Sequence, residues 1–163
     1  IVGNRNISTA EDRVEGYKRA LAESGIPEDE SLVKFSQYSR EGGYNSTKEL
    51  LSLKNRPTAI FGGNNFIAIG ALVAIREFEL KVPDDIALVS FDDIESLSQV
   101  YPFLTVVTQP AYSMGVIAAE LLIRRIEGRD KIEERRKVIL QPELIVRESA
   151  GEKLAEGVRG EGR

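Results

Sequence analysis

The chain has 163 residues, a net charge of −4 and a pI near 5.1, and it contains neither His nor Cys. Its length and its 42% hydrophobic content predict one soluble globular domain, and no apolar run approaches the roughly 20 residues that span a bilayer. The acidic charge argues against a nucleic-acid-binding domain. The absence of His and Cys removes imidazole bases, thiol nucleophiles, disulfides and nearly all zinc sites.

Apolar segments and turn-forming residues alternate along the chain in a way that predicts short strands between helices. In chain order, the predicted strands are 1–2, 32–35, 58–61, 86–91, 104–107, 138–140 and 144–146. The predicted helices are 8–24, 40–54, 66–78 and 113–127. Ser8 and Glu11 resemble a capping box at the start of the first helix, and Gly25 ends that helix. This alternation predicts a three-layer α/β fold, with a mostly parallel sheet and helices on both faces.

Polar side chains follow the predicted strands at the points where the strands end. In a parallel sheet these ends share one edge, and ligands bind in the crevice beyond it. The residues at this edge are Thr9, Arg13, Tyr38, Asn64, Asn65, Asp92, Asp93 and Gln109. Carboxylate, amide, guanidinium and aromatic groups together predict a site for a polyhydroxylated ligand such as a sugar, because they offer partners for its hydroxyls and a flat surface for its C–H face.

Each of these residues also has a structural explanation. Asn65, more than Asn64, is a candidate for capping the helix that follows, and one of the two aspartates could cap its own turn. Arg13 could form an ion pair with an acidic neighbour on its helix, and Tyr38 could belong to the core. Only their shared location favours the binding site.

A catalytic role for the adjacent carboxylates Asp92 and Asp93 is the main enzymatic alternative. Such a pair can hold Mg²⁺ for phosphoryl transfer, but the site needs further acidic ligands on neighbouring strands. The turn after Phe61, Gly62-Gly63-Asn64-Asn65, offers only amides and lacks the Lys-Ser/Thr pair of a P-loop. We therefore expect no enzyme, no metal site and no cofactor.

The helix that begins at Phe66 and ends at Phe78 is apolar on all sides until Arg76. Such a helix is either buried on both sides within the domain or covered on one side by another subunit, and the sequence favours the second. Apolar residues in the segment from Ile94 to Tyr101 would extend the same patch.

The run RPTAIFGGNNFIAIGALVAIREFELKVPDDIALVSFDDIESLSQVYPFLTVVTQP, residues 56–110, resembles the effector-binding core of LacI/GalR-type transcription regulators. The opening STAEDRVEGYKRALAESGI and the closing MGVIAAELLIRRIEG and LQPELIVRES fit as well, so that the resemblance covers residues 1–149. It implies a fold like that of the periplasmic binding proteins (type I), in which a small effector, such as a sugar, binds between two subdomains. Residues 150–163 are expected to form a flexible tail.

The resemblance further implies that the chain is mainly the C-terminal subdomain of a longer protein, which agrees with its start at Ile1 rather than Met. The helix at 113–127 would cross to the N-terminal subdomain, and operator DNA would be bound only through an absent helix-turn-helix headpiece. The intact protein would be a cytoplasmic, allosteric repressor or activator. A periplasmic-type sugar-binding protein for transport is the alternative, since it shares the fold and the kind of pocket.

The resemblance assigns effector contacts to Thr9, Arg13, Tyr38, Asn64, Asp92 and Gln109. Arg13 and Asp92 would clamp polar atoms of the ligand, and the ring of Tyr38 would stack on it. Two positions depart from the family pattern. Asn64-Asn65 stands where members commonly have Asn-Asp, and Ala111 stands where some members have a bulky aromatic residue.

The resemblance also implies a homodimer, formed through the helix at 66–78 and the segment at 94–101. Ile69 and Val73 would lie at the centre of that interface, where burying one such side chain stabilises the dimer by roughly 1.5–3 kcal/mol. No membrane partner is expected.

Overall fold

The computed structural model describes residues 1–94, 98–99, 101–129 and 136–151. Four strands form one sheet in the order β1-β2-β3-β4, namely β1 Ala59–Gly62, β2 Ala87–Phe91, β3 Thr105–Thr108 and β4 Glu143–Ile145. The helices are α1 Ser8–Glu23, α2 Arg40–Leu51, α3 Asn65–Glu77 and α4 Ala111–Ile126, with short 3₁₀ turns at Glu30–Leu32 and Glu148–Ala150. A mostly parallel sheet connected by helices confirms the predicted fold class.

The register of the parallel strands sets which residues leave the sheet at the same level. β1, β2 and β3 run parallel, with Gly62 opposite Ser90 and Phe91 opposite Val107. β4 pairs with β3 in the antiparallel direction. The carboxyl ends of the three parallel strands therefore share one edge, as the sequence predicts.

Two extended segments continue the sheet beyond β1. The backbone nitrogen of Ile1 donates to the carbonyl of Phe61 at 2.8 Å, and Val2 forms a parallel bridge with Phe35. The order across the sheet is therefore Phe35, Val2, β1, β2, β3 and β4. The chain starts inside the sheet and adds segments on both sides, as in a doubly wound α/β sheet. The strand predicted at 32–35 is reduced to this single bridge, because its first residue lies in the 3₁₀ turn Glu30–Leu32.

The helix α3 is buried between the sheet and α2. Its buried residues are Ile67, Ala68, Gly70, Ala71, Ala74 and Ile75. The two helices approach closely because glycines face the contact: a Cβ on Gly70 would overlap the carbonyl of Arg40, and one on Gly43 would overlap that of Ile67. Packing inside the domain thus covers most of the apolar surface of α3. Phe66 and Val73 remain 47% and 49% exposed.

The helix α4 is apolar as well, yet it contains no buried residue. It includes most of the helix predicted at 113–127 and begins two residues earlier, directly after Pro110. Its exposed large side chains are Tyr112, Met114, Val116, Leu122, Ile123 and Ile126. The predicted crossing of this helix to another subdomain stays a prediction.

The predicted capping box at the start of α1 is wrong. Ile7 occupies the N-cap position without a side-chain hydrogen bond, and Ser8 is already the first helical residue. The carboxylate of Glu11 instead accepts a hydrogen bond from the backbone N–H of Asn6 at 3.1 Å. The helix therefore begins one residue earlier than a Ser8 cap would require.

The strand predicted at 138–140 is not formed. Val138 and Ile139 are 52% and 69% exposed, and within the described chain no strand lies beside them. The predicted boundary between the domain and a tail after residue 149 stays a prediction, since residues 152–163 lie outside the described part. The prediction for the segment from Ile94 to Tyr101 also stays a prediction, because half of its residues, 95–97 and 100, lie outside the described part.

Candidate functional site

The turn after β2 carries the carboxylate at the centre of the predicted site. Asp92 has a φ of +65°, a left-handed conformation that is uncommon for residues other than glycine. Its backbone N–H donates to the carbonyl of Val107 at 2.9 Å, and its Oδ1 accepts a hydrogen bond from Gln109 Nε2 at 2.8 Å. Within the described residues Oδ2 has no protein partner. Such an outlier at a strand end favours a functional position, and the carboxylate keeps one oxygen available to a ligand.

The neighbouring carboxylate, Asp93, is bound into the protein instead. Arg147 donates from Nη2 to Asp93 Oδ2 at 2.8 Å and from Nη1 to Oδ1 at 3.2 Å, and the backbone N–H of Ile94 donates to Oδ1 at 2.7 Å. Burial alone would raise the pKa of Asp93, but the hydrogen bonds from Arg147 and Ile94 outweigh it and hold the pKa below its usual value. The carboxylates of the two aspartates therefore have different partners in the protein.

The guanidinium of Arg13 is held by three different contacts. Nη1 donates to the hydroxyl of Tyr38 at 2.9 Å and to the carbonyl of Thr9 at 3.3 Å, and Cζ lies 3.9 Å from the ring centroid of Phe91. Nε is buried without a hydrogen-bond partner, and Nη2 has no protein partner among the described residues. None of these contacts is the ion pair with an acidic neighbour that was the alternative explanation for Arg13.

The ring of Tyr38 combines a core role with a site role. Its carbon atoms pack against the hydrophobic core, and a Cβ on Gly3 would overlap the ring. Its hydroxyl meanwhile accepts the hydrogen bond from Arg13. Tyr38 thus belongs partly to the core, as the alternative expected, while its polar end reaches the candidate site.

The two asparagines after β1 have the reverse of the roles that the sequence predicts. Asn64 is the N-cap of α3, since its Oδ1 accepts a hydrogen bond from the backbone N–H of Ile67 at 2.9 Å. Asn65 Nδ2 donates to the carbonyl of Asp93 at 3.2 Å. The expectation that Asn65 is the cap is wrong, because only Asn64 has the extended backbone of an N-cap residue, with φ −159° and ψ 174°.

The predicted site residues fall into two groups linked by Phe91. Thr9, Arg13 and Tyr38 form one group, and Asp92 with Gln109 forms the other. Phe91 lies against Arg13 and immediately precedes Asp92 in the chain.

Among the described residues, the Asn64 side chain forms no hydrogen bond with either group; its Oδ1 accepts from Ile67 instead. It lies two residues beyond Gly62, the register partner of Ser90, and so leaves the sheet level with Asp92. Thr9 and Gln109 are exposed.

Two residues that contact the predicted side chains were not themselves predicted. Phe91 could have been found as an aromatic residue at the last position of β2, next to the carboxylate pair. Arg147 lies 54 residues from Asp93, and no local pattern in the sequence points to it.

A cavity of about 500 Å³ lies beneath α1, away from most of these groups. Apolar side chains of α1 and β1 form much of its wall, including Val14, Leu21 and Ile60. Of the predicted site residues only Arg13 lines it. The cavity is therefore not the polar site at the sheet edge.

In the described part of the chain, no group of three or more acidic side chains is placed to hold a metal ion. None of the helices described is long and apolar enough to cross a membrane.

The model of the periplasmic binding protein-like domain matches residues 1–150. The ribose operon repressor of Haemophilus influenzae is 36% identical over 149 residues, which are 91% of this chain and 44% of the repressor. The solved structure of a transcriptional regulator CelR–cellobiose complex has 32% identity and a TM-score of 0.83 over 91% of this chain and 45% of its own. A LacI-family regulatory protein from Chloroflexus aggregans has 34% identity and a TM-score of 0.79, with 92% and 53% covered.

The chain belongs to the periplasmic binding protein-like domain family, in the form found in LacI/GalR-type transcription regulators. This confirms the family resemblance seen in the sequence. The chain spans about half the length of the relatives named here. Those relatives are transcription regulators, not enzymes.

Proposed function

We propose that the chain is the ligand-sensing part of a DNA-binding transcription regulator and contributes one side of an effector site. The observation that carries the proposal is the edge at which Arg13 and Asp92 each keep an open hydrogen-bonding group beside the end of β2. A guanidinium and a carboxylate in one place can donate to and accept from the same polar ligand.

The effector that fits this chemistry is a sugar or sugar derivative. Asp92 Oδ2 accepts from a hydroxyl, Arg13 Nη2 donates to a ring or hydroxyl oxygen, and the amide nitrogen of Asn64 donates beside them. Thr9 and Gln109 contribute exposed polar groups at the rim, and Tyr38 supplies the aromatic surface. The names of two relatives, a ribose operon repressor and a regulator complexed with cellobiose, support this class of ligand.

Allosteric transmission follows from where such a site lies. An effector held between this subdomain and a second one favours one relative arrangement of the two, because it contacts both only in that arrangement. A headpiece outside this chain converts the arrangement into stronger or weaker operator binding, in the cytoplasm where the DNA is. The transport alternative is not favoured, since the relatives named above are regulators.

Self-association through α3 is the second part of the proposal. Phe66, Ile69 and Val73 follow the i, i+3, i+7 spacing of one helix face, and two of them are about half exposed. Tyr101, 51% exposed, is the described end of the segment that would extend this face.

We expect Val73→Glu to shift the intact regulator from dimer to monomer in sedimentation velocity, because it places a charge in an apolar interface. If Val73→Glu remains a dimer, α3 does not form the interface.

The experiment that tests the effector site is a thermal-shift screen of the intact regulator against ribose, cellobiose, phosphorylated sugars and nucleobases. The best stabilising compound is then measured with Asp92→Ala and with Asp12→Ala, an exposed aspartate of α1 as the matched control. We expect stabilisation to be lost only in Asp92→Ala. Equal stabilisation of both variants would show that Asp92 does not contact the effector.

A further inference from the structure

We propose that Phe91 is a positioning residue of this site: its ring face fixes the plane of the Arg13 guanidinium so that the Nη2 edge stays open to the effector. The role of Arg13 as an effector contact rests on the proposed function. The arrangement of Phe91 and Arg13 does not, and it can be tested without any effector.

The contacts of Arg13 show why a platform is needed. Both of its hydrogen bonds, to Tyr38 and to the carbonyl of Thr9, start from Nη1. Two hydrogen bonds from the same nitrogen leave the planar guanidinium free to tilt about that nitrogen. The Phe91 ring, 3.9 Å from Cζ, supplies the missing constraint, because a guanidinium stacked on a ring keeps its plane parallel to it.

The buried Nε of Arg13 supports the same conclusion. A buried donor without a hydrogen-bond partner costs free energy and calls for an explanation. The electron-rich face of an aromatic ring attracts a cation and its N–H groups, so that Phe91 compensates for the partner that Nε lacks.

The position of Phe91 in β2 gives the ring its direction. Burial alternates along the strand, with Leu88 and Ser90 buried and Phe91 half-buried on the opposite face. That face meets Arg13 of α1, while the next residue, Asp92, turns out of the strand. The end of β2 thus carries the Asp92 carboxylate itself and orients the Arg13 guanidinium through the Phe91 ring.

A second arginine–aromatic pair offers a matched control. Arg5 Cζ lies 4.2 Å from the ring centroid of Phe35, and Arg5 is exposed. The pair has the same chemistry but lies outside the candidate site, so that Phe35→Leu removes a similar ring without touching Arg13.

The test is NMR relaxation of the arginine Nε–Hε groups in this chain without effector. We expect an order parameter for Arg13 near the rigid value of about 0.85, falling below about 0.6 in Phe91→Leu. Phe91→Tyr, which keeps the ring, should restore the rigid value. Phe35→Leu should leave Arg13 unchanged, and Tyr38→Phe should leave it ordered because the ring platform remains.

An Arg13 that stays rigid in Phe91→Leu, or that is not restored in Phe91→Tyr, would overturn the proposal. If Phe91→Leu does not fold, the unsubstituted chain decides: an upfield ring-current shift of the Arg13 Hε proton supports the stack, and an ordinary shift contradicts it. Because no effector enters the readout, a failure of the proposed function and a failure of this proposal are separate results.

Discussion

Two polar clusters around the strands β2 and β3 differ in how completely their hydrogen bonds are satisfied. The anchor cluster comprises Asp93, Thr105, Arg147 and Ser149. In it, Ser149 Oγ donates to the carbonyl of Leu88 in β2 at 2.6 Å and accepts from the Thr105 N–H at 2.7 Å. Arg147 donates to Asp93 and to the carbonyl of Leu104, directly before β3. All four side chains have protein partners.

The recognition cluster comprises Thr9, Arg13, Asn64 and Asp92. Among the described residues, Arg13 Nη2, Asp92 Oδ2 and the amide nitrogen of Asn64 have no protein partner, although Arg13 Nη1, Asp92 Oδ1 and Asn64 Oδ1 are held by the hydrogen bonds given above. The same residue types therefore serve opposite purposes: satisfied groups stabilise the fold, and partly satisfied, oriented groups remain available to a ligand.

The largest expected effect is on the anchor cluster. Arg147→Met should lower the free energy of unfolding by about 3 kcal/mol, because it leaves a largely buried carboxylate without its partner; the two side chains are 13% and 22% exposed. Urea unfolding measures the change. Arg19→Met is the matched control, since Arg19 and Glu23 are 75% and 72% exposed and 3.9 Å apart, and it should change stability by less than about 0.5 kcal/mol. Equal effects would show that the anchor does not stabilise the fold.

The anchor should also give the fold a pH dependence in acid. The pKa of Asp93 is lower in the folded chain than its ordinary value, so that the ionised carboxylate stabilises the fold above that ordinary value. This contribution is lost as the pH falls through the lowered pKa. We expect the chain to be more stable than Asp93→Asn at pH 7 and the difference to disappear on acidification. A difference that stays constant with pH in urea unfolding would contradict this account of Asp93.

The hydrogen bond that Gln109 donates to Asp92 of the recognition cluster should be nearly neutral for stability. Gln109 is exposed, and its hydrogen bond to Asp92 is at the surface, so that Gln109→Ala should change the free energy of unfolding by no more than about 0.5 kcal/mol. Thermal unfolding measures this. A loss as large as that of Arg147→Met would mean that the two clusters do not differ as described.

The sequence predicts the fold class and most elements because these depend on local periodicity. The strands β1 to β3 and the helices α1 to α4 are found within a few residues of their expected positions. The strand expected at 138–140 fails because a strand needs a partner, and both sides of β3 are already paired, with β2 and with β4. Local pattern cannot supply that long-range information.

The helices α3 and α4 show the same limit for surfaces. Both read as apolar, yet α3 is covered by the sheet and α2, whereas α4 has no buried residue. Hydropathy indicates that an apolar surface exists. It does not indicate what covers it, because that depends on glycines such as Gly43 and Gly70, which allow α2 to approach.

The candidate site is predictable as a set of residues but not in its contacts. The strand-end rule points to Arg13, Asp92 and their neighbours. It does not say that Asp93 turns toward Arg147, which is far away in sequence, nor that Asn64 rather than Asn65 caps α3. Both outcomes depend on backbone geometry at the turns rather than on residue type.

The most direct test of the central claim is a calorimetric titration of the intact regulator with the compound that stabilises it most in the thermal-shift screen. Asp92→Asn keeps the size of the side chain and removes its charge. A charge-assisted hydrogen bond contributes about 1.5–3 kcal/mol, so that the affinity should fall by about tenfold or more, while the exposed control Asp12→Asn should bind as the unsubstituted protein does. Equal affinities of Asp92→Asn and Asp12→Asn would contradict the claim that Asp92 binds the effector.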